Sequence, residues 1–317
     1  MTPRRRPLGN SGLSVAPLAL GGNVFGWTVD EPTAFRLLDR FVDAGFNLID
    51  TADTYSVWIT GHHGGESETM IGRWMESRGR REDVLIATKV GMEMSPDSKG
   101  LSQKHIDHSI AGSLTRLRTK TVDLYQSHTD DATVPIDEPL RTYGRLMKDG
   151  KVRAIGASNF SADRLSEALR VSAEEELPRY ESLQPRYNLL DREAYEGPVE
   201  GVCEAGGLGV ITYSSLASGF LSGKYRSESD LTKSPRGARM GPRLTGRGPQ
   251  VLGALDRVAT RLGVAPSTVA IAWTVSRPSV TAAIASATSV DQLNELLEGA
   301  QMQLDAEARS ELENPRP

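Results

Sequence analysis

The chain has 317 residues, of which 38% are hydrophobic and 25% charged, so it can bury a large core and global disorder is excluded. Its formal net charge of −4 argues against a nucleic acid or an anionic membrane as the main partner. The single cysteine, Cys203, excludes an intrachain disulfide, a zinc ribbon and a CxxC redox pair. No run of about 18 apolar residues could span a bilayer, and no apolar stretch follows the basic start of the chain as it would in a secretory signal. We therefore expect a cytoplasmic protein.

Short apolar or β-branched runs alternate with amphipathic segments along the chain. The runs predict eight strands, at residues 15–20, 47–51, 84–89, 122–126, 152–156, 182–185, 210–213 and 281–285. Apolar residues spaced three and four apart predict helices over 34–42, 106–117 and 290–300, and further helices are predicted at 66–78, 139–149, 161–171, 193–206 and 265–277. Four hydroxyl residues are the predicted helix N-caps: Thr33, Ser102, Ser161 and Ser289.

Strands that alternate with helices imply right-handed crossovers and a parallel sheet. Eight such units, with no dinucleotide-binding glycine motif on the first, favour a closed (β/α)8 TIM barrel over a doubly wound sheet, and residues 1–317 are predicted to form one domain. Residues 1–14 are predicted to form a hairpin that caps the bottom of the barrel, with its turn at residues 9–12. Residues 225–249, rich in Gly, Pro and Arg, predict a long loop after strand 7 that is either a solvated loop or a lid.

Most of the predicted strands end in polar or ionisable side chains. These are Asp50, Lys89, His128, Ser158, Asn159, Gln184, Tyr213, Ser214 and Ser286. In a (β/α)8 barrel the carboxyl ends of the strands share one rim, and active sites lie at that rim. Strands also become polar simply because they leave the core, but this alternative explains serine and asparagine better than it explains aspartate, lysine and histidine. The pattern therefore favours an active site at the rim.

Three of these side chains, Asp50, Lys89 and His128, together with Tyr55 have the chemistry that a carbonyl reduction needs. A carbonyl that accepts hydride also needs a proton on its oxygen, and the phenol of Tyr55 can supply it if its pKa is lowered from about 10. The ammonium of Lys89 would lower that pKa, and Asp50 would keep a buried Lys89 charged. A neutral His128 could orient the carbonyl oxygen. A lyase or hydrolase that uses only Asp50 and Lys89 is the weaker alternative, because it would not need the tyrosine and the histidine.

Several long segments occur in the order of the signature segments of a known family. They are residues 48–55, 86–91, 123–128, 155–160, 184–188, 213–225 and 286–289, followed by Gln292, Leu293 and Glu295. With these segments the sequence resembles the aldo-keto reductase superfamily from residue 6 to residue 300. Residues 65–68, ahead of Ile71 and Gly72, resemble the bacterial branch related to potassium-channel β subunits.

The resemblance implies a (β/α)8 barrel that reduces an aldehyde or ketone and binds NADP(H) without a Rossmann motif. It implies a catalytic set of Asp50, Tyr55, Lys89 and His128, with Tyr55 as the general acid. For the nicotinamide, the resemblance implies that Ser158, Asn159 and Gln184 bind the carboxamide and that Tyr213 stacks on the ring. The residues implied to line the pyrophosphate and ribose are Ser214, Leu216, Ala217, Gly219 and Lys224. Those implied to hold the adenosine end are Ser286, Thr288, Gln292 and Glu295.

The chain departs from the family pattern on the cofactor side. Family members usually have glycine where Ser286 stands, proline where Ser215 stands and asparagine where Leu296 stands. Thr288 and Ser289 stand where many members have an arginine or lysine for the 2′-phosphate, so Lys224 or the basic loop would supply that charge. NADP(H) is the expected cofactor, with NAD(H) as the alternative.

Two functions stay open from the sequence. The first is an aldehyde or ketone reductase, and the second is a cofactor-sensing regulatory subunit in the manner of channel β subunits, with slow reductase activity. The complete set of four catalytic residues favours the reductase. The expected partner is a small carbonyl compound, with no nucleic acid, membrane or metal ion, and a homo-oligomer is an open alternative. Phe25, Trp27, Trp58 and His62 either line a substrate pocket or pack on the rim.

Overall fold

A computed structural model describes residues 2–315. Its strands are β1 Arg6–Pro7, β2 Ser14–Val15, β3 Leu18–Gly21, β4 Leu48–Asp50, β5 Leu85–Val90, β6 Val122–Ser127, β7 Val152–Ser158, β8 Ser182–Gln184, β9 Gly209–Thr212 and β10 Ala282–Ala285. Strands β3 to β10 form a closed barrel in which each strand is parallel to its neighbours and β10 pairs with β3. This topology confirms the predicted (β/α)8 barrel.

The helices follow the barrel strands and pack around them. They are α1 Glu31–Asp43, α2 Glu66–Arg78, α3 Gln103–Arg116, α4 Asp137–Lys148, α5 Ala162–Glu174, α6 Pro198–Gly206, α7 Arg247–Leu262, α8 Pro266–Ser276, α9 Val290–Gly299 and α10 Ala306–Glu313. Ser102, Ser161 and Ser289 cap α3, α5 and α9 as predicted. The prediction of Thr33 as a cap is wrong, because the Asp30 side chain accepts from the Thr33 amide and is the N-cap of α1.

The N-terminal hairpin closes the bottom of the barrel, as predicted. β1 and β2 are antiparallel, and the turn between them contains Gly9 and Gly12 with φ of +55° and +74°. The buried side chains of Leu8 and Leu13 pack in one cluster with inward-facing residues of the barrel strands. The predicted strand 15–20 is interrupted, because Pro17 has no N–H to donate between the hairpin and β3.

The structure differs from the prediction at three further places. The helix predicted at 193–206 begins only at Pro198, because Gly197 has a φ of +94° and proline suits the first helical turn. The segment 225–249 is predicted as a loop, yet it contains three short 3-10 helices, Glu228–Lys233, Gly237–Arg239 and Gly241–Leu244, and its residues 247–249 already belong to α7. Helices α7 and α10 were not predicted, although Val251, Leu255 and Val258 of α7 have helical spacing and are buried.

The interior of the barrel is filled in layers. An apolar layer contains Ala19, Leu48, Ala87, Leu124, Ala154, Ile211 and Ala282, all buried. Above it, toward the carboxyl ends of the strands, lies a layer of buried polar side chains that includes Asp50, Lys89 and Gln126. In residues 2–315 no single helix is long and apolar enough to cross a membrane; α7 and α8 meet that criterion only as a pair bent by 99°.

Candidate active site

The predicted site residues gather at the carboxyl ends of the barrel strands. Asp50 ends β4, Lys89 lies one residue before the end of β5, and His128 follows β6 directly. Ser158 ends β7, Gln184 ends β8, and Tyr213 and Ser286 follow β9 and β10. Parallel pairing brings these strand ends to one rim of the barrel.

A buried ion pair lies at the centre of this rim. The Lys89 ammonium donates to Asp50 Oδ2 at 2.7 Å, to the main-chain oxygen of Thr51 at 2.8 Å and to the Tyr55 hydroxyl at 3.1 Å. The Lys89 side chain is fully buried and that of Asp50 nearly so. Burial alone would lower the pKa of Lys89, but Asp50 and Tyr55 outweigh it, and the net pKa is raised. Lys89 therefore holds its charge beside the phenol.

The pKa of Tyr55 contradicts one step of the sequence argument. The ring is partly exposed, while the hydroxyl is enclosed beside Lys89. Burial raises the pKa of Tyr55 and the Lys89 ammonium lowers it, and the effect of burial is larger, so the pKa lies above its ordinary value. The phenol is consequently protonated at neutral pH, as a proton donor must be, rather than acidified towards neutrality.

His128 lies beside this phenol as a neutral imidazole. Its ring centre is 5.9 Å from that of Tyr55, in an edge-to-face arrangement. Burial, followed by the charge of Lys89, lowers the pKa of His128 well below its ordinary value. Within the described chain, the buried Nδ1 of His128 has no hydrogen-bond partner. The described chain therefore leaves this ring nitrogen without a partner.

Two glutamines hold the second oxygen of Asp50, and sequence reasoning missed one of them. Gln184 Nε2 donates to Asp50 Oδ1 at 2.9 Å and to Gln126 Oε1 at 3.2 Å, and Gln126 Nε2 lies 3.5 Å from Asp50 Oδ1. The amide nitrogen of Gln184, expected at the cofactor, is therefore engaged with the ion pair. Gln126 could have been found from strand alternation, because it lies two residues beyond the inward-facing Leu124.

A structured loop carries Tyr55 from β4 to α2. Glu66, the first residue of α2, accepts from the amide of Ser56 at 3.0 Å and from the amide of His63 at 2.8 Å, so both ends of the loop are tied to the helix. His62 Nδ1 lies 2.9 Å from Ser56 Oγ inside the loop. Of the predicted mouth residues, Phe25 is buried in the core, whereas Trp58 is 46% exposed at the rim.

Asp53 in the same loop is an unusual buried acid. It is 1% exposed, and within the described chain neither of its carboxyl oxygens has a hydrogen-bond partner. Burial and, to a smaller extent, the Glu68 carboxylate raise the pKa of Asp53 to about 8. Glu68 itself is paired with Arg116 at 2.7 Å and accepts from Thr88. Asp53 is therefore mostly protonated at neutral pH.

The residues predicted around the nicotinamide form one connected network. Ser158 Oγ donates to the main-chain oxygen of Gln184 at 2.9 Å. Asn159 Nδ2 donates to Ser158 Oγ at 3.0 Å and to the main-chain oxygen of His128 at 2.9 Å, and the Tyr213 hydroxyl donates to Asn159 Oδ1 at 2.8 Å. The network joins the ring of Tyr213 to the catalytic rim.

The turn after β9 has a strained backbone. Ser214, Ala217, Ser218 and Gly219 have φ of +59°, +49°, +59° and +94°. Non-glycine residues adopt positive φ at a cost of order 1–3 kcal/mol, and such strain clusters at functional sites. The amides of Ala217 and Gly219 donate within the turn, to the main-chain oxygens of Ser214 and Leu216 at 2.7 and 2.9 Å. Leu216, predicted with these residues, lies within the same turn.

The predicted adenosine-side residues are bound to the protein and to each other. Ser286 Oγ donates to the main-chain oxygen of Gly21 and to Asn23 Oδ1, both at 2.7 Å. Gln292 Oε1 accepts from the amide and hydroxyl of Thr288 at 3.0 and 3.1 Å, and Ser267 donates to Glu295. Ser215 and Leu296, the other two positions at which the chain departs from the family pattern, are buried as well, since each is 1% exposed.

Some cations of the basic segment 225–249 are already neutralised. Arg226 pairs with Asp256 at 2.6 Å, Lys233 with Asp230 at 2.7 Å and Arg243 with Asp191 at 2.9 Å. Among the described residues, no carboxylate pairs with Lys224, Arg236, Arg239 or Arg247. The Lys224 ammonium lies 5.1 Å from the ring centre of Tyr225 and close to Gly219 of the strained turn.

Comparisons with known proteins extend these observations. A family model described as the aldo/keto reductase family matches residues 17–314. The chain is 37% identical over 310 residues to the uncharacterized oxidoreductase YrpG of Bacillus subtilis strain 168, which covers 95% of this chain and 92% of that protein. It is 35% identical over 296 residues to a probable voltage-gated potassium channel subunit beta of Oryza sativa subsp. japonica, with coverage of 91% and 88%. It is 30% identical over 312 residues to the aldo-keto reductase YhdN of Bacillus subtilis strain 168, with coverage of 95% and 88%.

Proposed function

This chain belongs to the aldo/keto reductase family and is an NAD(P)H-dependent oxidoreductase of small carbonyl compounds, and on that premise we propose that it reduces an aldehyde or ketone with NADPH and a proton from Tyr55. The observation that carries the proposal is the contact of 3.1 Å between the Tyr55 hydroxyl and the Lys89 ammonium, which is itself 2.7 Å from Asp50. A neutral imidazole stands beside that hydroxyl.

Each residue of the rim has one task in this proposal. Tyr55 gives its proton to the carbonyl oxygen, which leaves a phenolate. The Lys89 ammonium stabilises that phenolate, and Asp50 stabilises the ammonium, so the ion pair lowers the energy of the state that proton transfer creates. The neutral imidazole of His128 donates a hydrogen bond from its ring N–H to the carbonyl oxygen and so orients it. The pKa of Tyr55 keeps the donor protonated across the physiological range.

The residues of the rim also fit the cofactor. When bound, NADPH supplies the hydride. The ring of Tyr213 and the amide of Asn159 would hold the nicotinamide, the strained turn at residues 214–219 would hold the pyrophosphate, and Thr288 and Glu295 would hold the adenosine. The 2′-phosphate would be met by Lys224 together with a second cation of the basic segment, because Thr288 and Ser289 offer only hydroxyls.

The second candidate, a cofactor-sensing regulatory subunit, is supported by the names of relatives such as the Oryza sativa protein. The geometry of Asp50, Tyr55, Lys89 and His128 favours turnover, because a sensor that only binds the cofactor needs no protonated phenol beside an ion pair. A steady-state assay of several aldehydes and ketones with NADPH and NADH tests the choice between the two.

Tyr55→Phe supplies the decisive variant. It should keep the fold and the affinity for NADPH but lose about 10²–10⁴-fold in turnover, because a positioned general acid contributes that much. Circular dichroism and a fluorescence titration with NADPH serve as controls for folding and binding. A phenylalanine variant whose turnover stays within a few-fold of the wild type, with chemistry limiting in both, would remove Tyr55 from this role.

A further inference from the structure

Arg236 of the basic segment lies at the mouth of the barrel, at the end of an aromatic wall. Its guanidinium carbon is 5.1 Å from the ring centre of Trp27. Trp27 contacts Trp58 edge-to-face at 5.8 Å, and Trp58 contacts Tyr55 edge-to-face at 5.8 Å. The wall therefore leads from the proposed proton donor to a cation, and the exposure of Trp58, at 46%, makes it accessible from solution.

The guanidinium of Arg236 lacks the partner that its neighbours have. Arg226, Lys233 and Arg243 of the same segment are each paired with an aspartate. Within residues 2–315, the side chain of Arg236 donates no hydrogen bond to a protein acceptor, although this side chain is partly buried. The face of Trp27 attracts the charge but accepts none of the five N–H groups in a directed hydrogen bond. A partly buried cation with free donors at a site mouth is suited to an anionic ligand.

The guanidinium of Arg236 is partly withdrawn from water beside the aromatic wall. Burial is the main reason why the pKa of Arg236 lies below its ordinary value, and the nearby charge of Arg239 lowers it slightly further. A charge that has lost part of its hydration gains more from an anionic partner than a fully solvated one does.

We propose that Arg236 is a specificity-determining residue that binds a carboxylate on the carbonyl substrate, so that the preferred substrates are aldehydes or ketones carrying a carboxylate at the far end. The inference rests on the proposed function, which places the carbonyl end at Tyr55. A guanidinium holds a carboxylate through two parallel hydrogen bonds. Trp27 and Trp58 would cover the apolar part of the substrate between the two ends.

A phosphate of the cofactor has the same anionic chemistry and is the competing occupant. The substrate carboxylate is the favoured occupant because a row of ring contacts, through Trp27 and Trp58, leads from Arg236 to the proton donor Tyr55. The cation beside the strained turn at residues 214–219, where we propose the pyrophosphate, is Lys224 instead, since its Cε and ammonium approach Gly219. The experiment therefore has to measure substrate discrimination and cofactor affinity separately.

The test compares 4-formylbenzoate with 4-formylbenzamide, which differ in charge but hardly in size. Values of kcat/KM with NADPH are measured for the wild type, Arg236→Met, Arg236→Lys and Arg239→Met. The ratio of the two substrates should fall about 10- to 100-fold in Arg236→Met, which is the worth of charge-assisted hydrogen bonds, and less in Arg236→Lys, which keeps the charge. Arg239→Met removes the same charge from an exposed neighbour and should change the ratio less than about twofold.

Three outcomes overturn the assignment or separate it from the proposed function. A ratio that Arg236→Met leaves unchanged refutes it. A loss of NADPH affinity in Arg236→Met with an unchanged ratio assigns the arginine to a cofactor phosphate instead, which also refutes it. If the wild type reduces neither aldehyde, the proposed function fails, and a binding assay then tests the carboxylate site by itself. In that assay tryptophan fluorescence compares the binding of benzoate with that of benzamide. Binding of benzoate that Arg236→Met abolishes supports the carboxylate site, and a wild type that does not bind benzoate refutes the site.

Discussion

Replacing Lys89 with methionine tests the buried ion pair most directly. The ammonium that it removes makes three hydrogen bonds, at 2.7, 2.8 and 3.1 Å, and the lysine side chain is fully buried. Methionine keeps much of the length but leaves the Asp50 carboxylate with only its glutamine donors. Removal of one partner from a buried pair costs about 3–5 kcal/mol, which for a chain of 317 residues corresponds to a fall in Tm of roughly 4–8 °C.

The double variant Asp50→Asn/Lys89→Met is the matched control. It removes both charges, so it should recover most of the stability that Lys89→Met loses without recovering activity. The single variant should also regain stability as the pH falls, because its buried carboxylate then takes up a proton. Turnover of an aldehyde should fall at least ~10²-fold in both variants, since the phenolate formed on proton transfer loses its stabilising charge.

Thermal unfolding and the rate of NADPH oxidation measure the two effects separately. The reasoning is refuted if Lys89→Met unfolds at the same temperature as the wild type and the double variant. It is equally refuted if the single variant keeps the wild-type kcat/KM and its dependence on pH.

The remaining predictions concern protonation and the cofactor. Because the pKa of Tyr55 is raised, kcat/KM for carbonyl reduction should hold through neutral pH and decline only above about pH 10; a decline centred near neutrality would contradict the raised pKa. The pKa of Asp53 is raised from 3.8 to about 8, so the folded protein should lose stability as the pH rises from about 4 to about 8. Asp53→Asn should flatten that dependence in unfolding experiments at several pH values, and a wild-type stability that does not fall over this range would argue against a buried neutral acid. Fluorescence titrations should show NADPH bound about 10- to 100-fold more tightly than NADH, with the preference reduced by salt and by Lys224→Ala; equal affinities in the wild type would disprove it.

The barrel could be predicted from sequence because its signal is repeated. Each strand is a short apolar run and each run is followed by a helical pattern, so a single ambiguous segment changes little. Helix α7 was missed for a local reason: its first turn contains Gly248 and Pro249 and follows an arginine-rich stretch that has the composition of a loop. Its buried face, which begins with Val251, is stabilised by tertiary packing that composition does not reveal.

The site could be predicted as a set of residues but not as a set of contacts. The strand ends identified Asp50, Lys89 and His128, because parallel pairing brings such ends together whatever the details of packing. The bond from Gln184 to Asp50, and the part played by Gln126, depend on side-chain rotamers across the barrel. The direction in which the pKa of Tyr55 shifts depends on whether burial of its hydroxyl outweighs the charge of the Lys89 ammonium. How deeply the hydroxyl is buried follows from the packing around it, which a sequence pattern does not reveal.

The hairpin at the bottom of the barrel has a consequence for how ligands reach the ion pair. Leu8 and Leu13 pack against the apolar layer beneath the ion pair and close that end. Lys89 and Tyr55 are therefore reached from the opposite end, where Trp58 and Arg236 lie. Side chains at that one rim are in a position to affect the entry and exit of every ligand of the site, whereas changes in the hairpin should act through stability alone.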